Sequence, residues 1–177
     1  MFGNSFGRLF RVTTSGESYA GGFRKNPDIP RQLYGGLIAI IDGVPPGIKL
    51  NADIIQEELD KRRPGQSRLD TPREETDRVY VFSGVMENDF TTGAPVGLLI
   101  PNLSIDDENI EKHRNFSKYL RPGQANHTYR EKYGQYYDWA GAGRASGRET
   151  AARVAAGAVA VGLMWLINRV RGKQASH

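Results

Sequence analysis

Cysteine is absent from the 177 residues, which excludes a disulfide framework and any thiolate metal site and makes a reducing compartment, the cytoplasm, the expectation. Histidine occurs three times, too sparsely to suggest a metal centre. Long hydrophobic runs are missing as well. The longest uncharged apolar stretch, residues 154–167, falls short of the roughly 20 residues that cross a bilayer core of about 30 Å, so it is expected to be a buried helix rather than a membrane span. The opening MFGNSFGRLFRV lacks the continuous apolar core of a signal peptide. Internal repeats and low-complexity tracts are also absent.

What the chain has in quantity is arginine: 17 against 7 lysines, with a net charge of +4. Arginine's planar fork pairs bidentately with phosphate and carboxylate, whereas lysine serves equally well on a surface that only needs to be solvated. A mass of 19.6 kDa suits a single domain, residues 1–177, able to bury a sizeable core.

Apolar patterning predicts a strand over 8–14 and a second, GLIAIID, over 36–42, closed by the breaker GVPPG. Asn51 is placed to cap a helix over ADIIQEELDKRR, with Leu50 stapling onto Ile54 and Lys61, Arg62 and Arg63 in its last turn. Residues 78–85 and 95–101 read as an antiparallel pair. The polar segment 102–120 is expected to be a loop with a short helix, and 121–134 to hold a helical turn or two. Strands and two principal helices in non-alternating order give an α+β fold with an antiparallel sheet packed on a central helical core.

The segment GAGRASGRETAARVAAG, residues 141–157, sets arginines at the mouth of the last helix, which is expected to run about 25 residues. Ser146 and Glu149 have capping-box spacing, the serine oxygen accepting from Glu149 N–H and the carboxylate reaching back to the Ser146 amide. Unpaired helix N–H groups, the glycines Gly141 and Gly143, and the cations Arg144 and Arg148 together suit a phosphate or carboxylate. The competing reading pairs these arginines with Glu131, Asp138 or Glu149 and binds nothing. The spacing is not that of a dinucleotide fingerprint, and no apolar strand precedes it.

Six segments, GRLFRVTTSGES (7–18), IDGVPPG (41–47), LDKRRPGQSR (59–68), SGV…TTGAPVGLLIPN (83–102), RPGQA (121–125) and GRASGRETAARVAAGA (143–158), resemble chorismate synthase in order along the chain. The resemblance implies a lyase of the shikimate pathway and aromatic amino acid biosynthesis. The reaction is anti-1,4-elimination of phosphate from 5-enolpyruvylshikimate 3-phosphate to give chorismate, with reduced FMN required. It also implies that Ser18, Arg62, Arg63, Arg68, Arg121 and Arg148 contact the substrate, or NADPH in bifunctional members, and that Arg144, Ala145 and Ser146 match a flavin-contacting motif. The fold implied is half of a β-α-β sandwich, in a family that assembles as a homotetramer.

Tyr19 and Gln124 stand where the family has its two acid histidines. A tyrosine, with a reference pKa of about 10, donates a hydrogen bond but is a poor proton source near neutrality, and glutamine releases no proton. His127, three residues after Gln124, is expected to be a surface residue. Residues 20–36 read as an insertion and 161–177 as a divergent tail, while the family chain is longer than this one. A half sandwich would leave a helix face and a sheet edge uncovered, which predicts self-association or a complementary C-terminal half. Two alternatives stay open: an inactive homologue that keeps an anion or flavin site, and a nucleic-acid binder using Tyr129, Tyr133, Tyr136, Tyr137 and Trp139. Interspersed acidic residues rank the latter last.

Overall fold

A computed structural model describes residues 4–18, 35–63, 77–103, 107–120, 125–140 and 142–174. Of the sequence-derived candidates, Tyr19, Arg68, Arg121 and Gln124 lie outside the described residues, as does most of the 20–36 segment. The chain divides into two units, one formed by Met1–Ser15, Ile38–Ile100 and Ala151–His177, the other by Gly16–Leu37 and Pro101–Thr150.

The first unit carries nearly all of a five-stranded sheet in the order β1-β2-β3-β5-β4. Its strands are β1 (Ser5–Phe6), β2 (Arg11–Ser15), β3 (Gly36–Asp42), β4 (Tyr80–Ser83) and β5 (Val96–Pro101). The pairs β1–β2, β2–β3 and β4–β5 are antiparallel. β3 occupies the span its alternation predicts, with Leu37, Ala39 and Ile41 inside, because period-two apolar residues bury one face of a sheet. Val96, Leu98 and Ile100 of β5 are buried in the same way.

The strand expected over 8–14 begins only at Arg11 and runs to Ser15. Gly7 sits at φ +85°, and a Cβ there would stand 1.9 Å from the Phe10 carbonyl oxygen. Only glycine tolerates that approach. Residues 7–10 therefore turn the chain between β1 and β2, with Ser5 opposite Thr13 and Phe6 opposite Val12.

Helix α1 (Ala52–Asp60) begins where Asn51 Oδ1 accepts from Ile54 N–H at 3.1 Å. It stops before Lys61, so the three cations expected in its last turn lie beyond it. Asn51 has a second task, since its amide donates to Asp89 Oδ2 at 3.1 Å and Leu50 N–H reaches the Asp89 carbonyl at 2.8 Å. The 84–95 connection is thereby tied to the helix start. Asn51→Ala is expected to lower unfolding stability by about 1.5 kcal/mol, a lost cap plus a lost tertiary hydrogen bond. Urea titration followed by circular dichroism checks this, and a loss below about 0.5 kcal/mol would contradict the dual role.

Helix α4 (Thr150–Gln174) has 25 residues, the length expected. Ala151, Ala152, Ala155, Ala156, Ala158 and Val159 are buried within the first unit, and Arg153 lies over the Phe6 ring at 5.4 Å. Small side chains on that face suit close packing, and at Gly162 an added Cβ would only come into ordinary contact with Ile48, at 3.7 Å. Burial does not persist, however. Val161, Met164 and Trp165 are each about three-fifths exposed (61%, 62% and 62%), so the expectation of a buried helix holds only for its first half. The exposed part borders an apolar groove of about 530 Å³ lined by Ile48, Ile54, Phe90, Val161, Trp165 and Leu166. By length and composition alone, Gly147–Asn168 could cross a membrane. That span is longer than the uncharged stretch 154–167 because it admits the charged residues Arg148, Glu149 and Arg153 at its start, and the core helix of a soluble protein meets the same criterion.

The second unit holds α2 (Asp107–Phe116), α3 (Asn126–Tyr133) and three 3₁₀ turns, Gly134–Tyr136, Gly143–Ala145 and Gly147–Glu149. Among the described residues there are four α-helices, the two principal ones and two short ones in the segments expected to hold helical turns, and with the sheet they make an α+β fold. The additional two are short and polar, and lack the apolar stripe that marks a core helix.

Candidate functional site

The second unit carries the arginine-bearing turn that precedes α4. Ala142 (φ +66°) and Gly143 (φ +49°) both adopt left-handed backbone conformations and reverse the chain into the Gly143–Ala145 turn. Ser146 follows in extended conformation and caps the Gly147–Glu149 turn, its Oγ accepting from Arg148 N–H at 3.3 Å. Thr150 Oγ1 donates to the Gly147 carbonyl at 2.7 Å. Ser146 is therefore a cap, but its oxygen takes the Arg148 amide rather than the Glu149 amide that the capping-box spacing predicts.

The capping-box partner behaves differently. Glu149 N–H bonds the backbone carbonyl of Ser146 at 3.1 Å, and the Glu149 carboxylate pairs with Arg144 Nη1 instead of returning to the Ser146 amide. Glu149 is 4% exposed. A carboxylate so far from water needs a cation, and Arg144 supplies one.

Arg144 also donates to the Gly16 carbonyl at 2.8 Å. Arg148 spans two carbonyls, Ser18 O from Nη1 and Pro101 O from Nη2, both at 3.1 Å. Ser18 N–H in turn points to the Gly143 carbonyl at 3.4 Å. Asn102 completes the surround by donating from its side chain to Glu17 O at 3.5 Å and from its backbone to Gly35 O at 3.1 Å. Two arginines from successive turns thus fix the 16–18 segment by its backbone, bringing Ser18, Arg144, Ala145, Ser146 and Arg148 into one locale.

Arg62 and Arg63 belong to the first unit. Arg62 Nη1 meets Asp77 Oδ2 at 2.6 Å, and Asp77 is held by its carbonyl to Gln56 Nε2 at 3.0 Å. Gln56 Oε1 accepts from Val79 N–H at 3.0 Å. Arg63 pairs with Asp60 at 2.8 Å. Three carboxylates, Asp60, Asp77 and Glu149, therefore engage arginines that the sequence reads as anion-binding. For Arg144 this is the pairing with Glu149 that the competing reading anticipated.

Sequence reasoning gave no role to Asp77, Gln56 or Glu17, and treated Asp138 only as an arginine partner. Asp138 Oδ1 accepts from Ala140 N–H at 3.0 Å. Burial pushes the Asp138 carboxyl above the usual carboxylate range, the Ala140 bond opposes this, and the Glu17 charge adds to the rise. An aspartate two residues ahead of a glycine-rich turn is a recognisable Asx signal. His127 is exposed, as expected. Among the described residues no group of histidine, aspartate and glutamate is arranged to hold a metal ion.

Three comparisons agree on what this arrangement is similar to. The chorismate synthase family model matches residues 10–171. A curated chorismate synthase of Acetivibrio thermocellus is 71% identical over 160 residues, which cover 90% of this chain and 41% of that one. A crystal structure of chorismate synthase superposes with a TM-score of 0.58 at 28% identity, over 90% of this chain and 35% of that one. The chain spans less than half the length of the relatives it matches. A family match through both units and the arginine turn, with identity this high, shows that the chain belongs to the chorismate synthase family.

Proposed function

We propose that this chain supplies part of the active site of a lyase that eliminates phosphate from 5-enolpyruvylshikimate 3-phosphate to form chorismate. The observation that carries the reading is the match across residues 10–171, which includes the turn where Arg144, Ser146 and Arg148 stand with Ser18. The substrate is a polyanion. Its leaving phosphate gains charge as the C–O bond breaks, and preorganised guanidinium and hydroxyl groups favour that transition state over the ground state.

Ser18 and Arg148 are the substrate-side groups, with Arg62, Arg63, Arg68 and Arg121 adding positive charge. Arg144, Ala145 and Ser146 are the groups for reduced FMN, and the donor set of this turn fits such a ligand. Ser146 Oγ already accepts from Arg148 N–H, and its own hydrogen can still be donated. A side chain on Gly147 would meet nothing within 4 Å, so the turn stays open on that side. When bound, reduced flavin supplies electron density to the allylic system. Tyr19, at one acid position of the family, is a residue type that can donate a hydrogen bond, and Gln124, at the other, is one that carries an amide but no proton to release.

NADPH as a flavin reductant, a cytoplasmic setting and homo-oligomeric assembly accompany the proposal, as does a contribution from the remainder of the family fold. The test is anaerobic incubation with substrate and reduced FMN, following the absorbance of chorismate, first for this chain alone and then with the complementary part of the family chain added. Turnover in either case supports the proposal. Its absence in both, across about pH 6 to 9 where the family's acids would titrate, favours a homologue that binds anions without catalysis.

A further inference from the structure

Asp138 enters the arginine turn without a role in the proposed chemistry, yet its placement is tightly determined. A Cβ on Gly143 would stand 2.2 Å from Asp138 Oδ2 and 2.6 Å from its carboxyl carbon, so the carboxyl group fits only because residue 143 has no side chain. Its other oxygen holds Ala140 N–H. Between these two anchor points lies Ala142, a non-glycine residue in the left-handed region, a conformation that persists only where its surroundings enforce it. The Gly143 carbonyl then receives the Ser18 and Ser146 N–H groups at 3.4 and 3.3 Å, and Arg144 follows directly. The carboxyl group thus braces one side of a backbone whose other side organises the candidate anion site.

We propose that Asp138 is a positioning residue for that turn: its carboxyl group holds Ala140 and Gly143 in the shape from which Arg144 and Ser146 project, and its charge sets how tightly the turn takes a dianion. The inference rests on the turn being an anion site. Its physical basis is that a carboxylate beside a bound dianion opposes it, while a neutral carboxyl in the same place keeps the brace and removes the repulsion.

Burial favours the neutral form, and Glu17, the charged neighbour acting on Asp138, does so too. Arg144 in the adjoining turn is engaged by Glu149. The sign follows from the raised folded-state value. Protonation of Asp138 contributes stability that is fully present below the ordinary aspartate range and is lost as pH rises through the raised value. Anion affinity runs the same way, higher on the acid side and lower above.

The experiment uses the full chain, as wild type, Asp138→Asn and Asp138→Ala, with sulfate as the probe because it stays doubly charged across about pH 4 to 7 while carboxylates titrate. Nitrogen-15 NMR follows the amides of Gly143, Arg144 and Ser146, and calorimetry measures sulfate binding. In the wild type the amides are expected to titrate with a midpoint above the usual aspartate range, with sulfate affinity about tenfold weaker at the upper end, the size of a coupling between neighbouring charges. Asp138→Asn should lose that midpoint and bind sulfate at the wild type's acid-side affinity throughout. Asp138→Ala should displace the amides at every pH and weaken binding. A midpoint that survives in Asp138→Asn, or an unchanged decline of its affinity with pH, overturns the inference. If sulfate binds to none of the three, the anion-site reading fails, while the amide titration still decides whether Asp138 holds the turn.

Discussion

Glu149→Ala is expected to lower unfolding stability by about 3–5 kcal/mol, the usual cost of stranding one member of a buried ion pair. Glu149 is 4% exposed, and the Arg144 side chain it pairs with is 23% exposed, so solvent recovers little of the loss. Glu149→Gln keeps the shape and an acceptor oxygen and should cost less, about 1–2 kcal/mol. The same substitution carries a functional corollary. A guanidinium released from its internal carboxylate becomes available to an external anion, so inorganic phosphate should raise the urea midpoint of Glu149→Ala more than that of the wild type. Equal shifts would mean that Arg144 does not face the anion site, and a cost under about 1 kcal/mol would remove the pair from the structural account.

Arg148→Ala is expected to cost about 2–4 kcal/mol, because the carbonyls of Ser18 and Pro101, both in buried residues, lose charged donors together. Arg148→Lys should recover less than half of this, since one ammonium cannot reproduce a fork that reaches two acceptors. Hydrogen exchange offers a local readout. The Ser18 amide, bonded to Gly143, should exchange faster in Arg148→Ala, while amides of the β2–β3 ladder keep their wild-type rates relative to global unfolding. Uniform acceleration everywhere would show that Arg148 supports only overall stability and not the 16–18 segment.

Much of this architecture was readable from residue order, and the reasons are local. β3 and the cap at Asn51 follow from strict alternation and from an asparagine immediately before an apolar-periodic run. Each needs only its neighbours to be understood. The turn at Gly7 was missed because apolar residues continue through it, and the decisive fact is a carbonyl three residues ahead that leaves no room for a side chain. The capping box at Ser146 predicts the cap residue but neither of its two hydrogen bonds, for a related reason. The pattern that places Glu149 near the Ser146 amide also places it near Arg144, and burial gives the ion pair the advantage over a neutral amide. Arg144 and Arg148 were visible as candidates, whereas their acceptors at Gly16, Ser18 and Pro101 are backbone carbonyls, up to 130 residues away in sequence, and carry no side-chain signature. The outer half of α4 keeps helical composition whether or not anything covers it, so its exposure had no local signal.

The two tryptophans of the sequence fall one to each unit, Trp165 in the first and Trp139 in the second. Intrinsic emission can therefore be divided between them by single Trp→Phe replacements. A chain retaining Trp139 alone reports on the arginine-bearing unit, and one retaining Trp165 alone on the sheet and its long helix. Superimposable denaturation curves would mean that the units melt as one cooperative body, and separated curves that each keeps its own threshold.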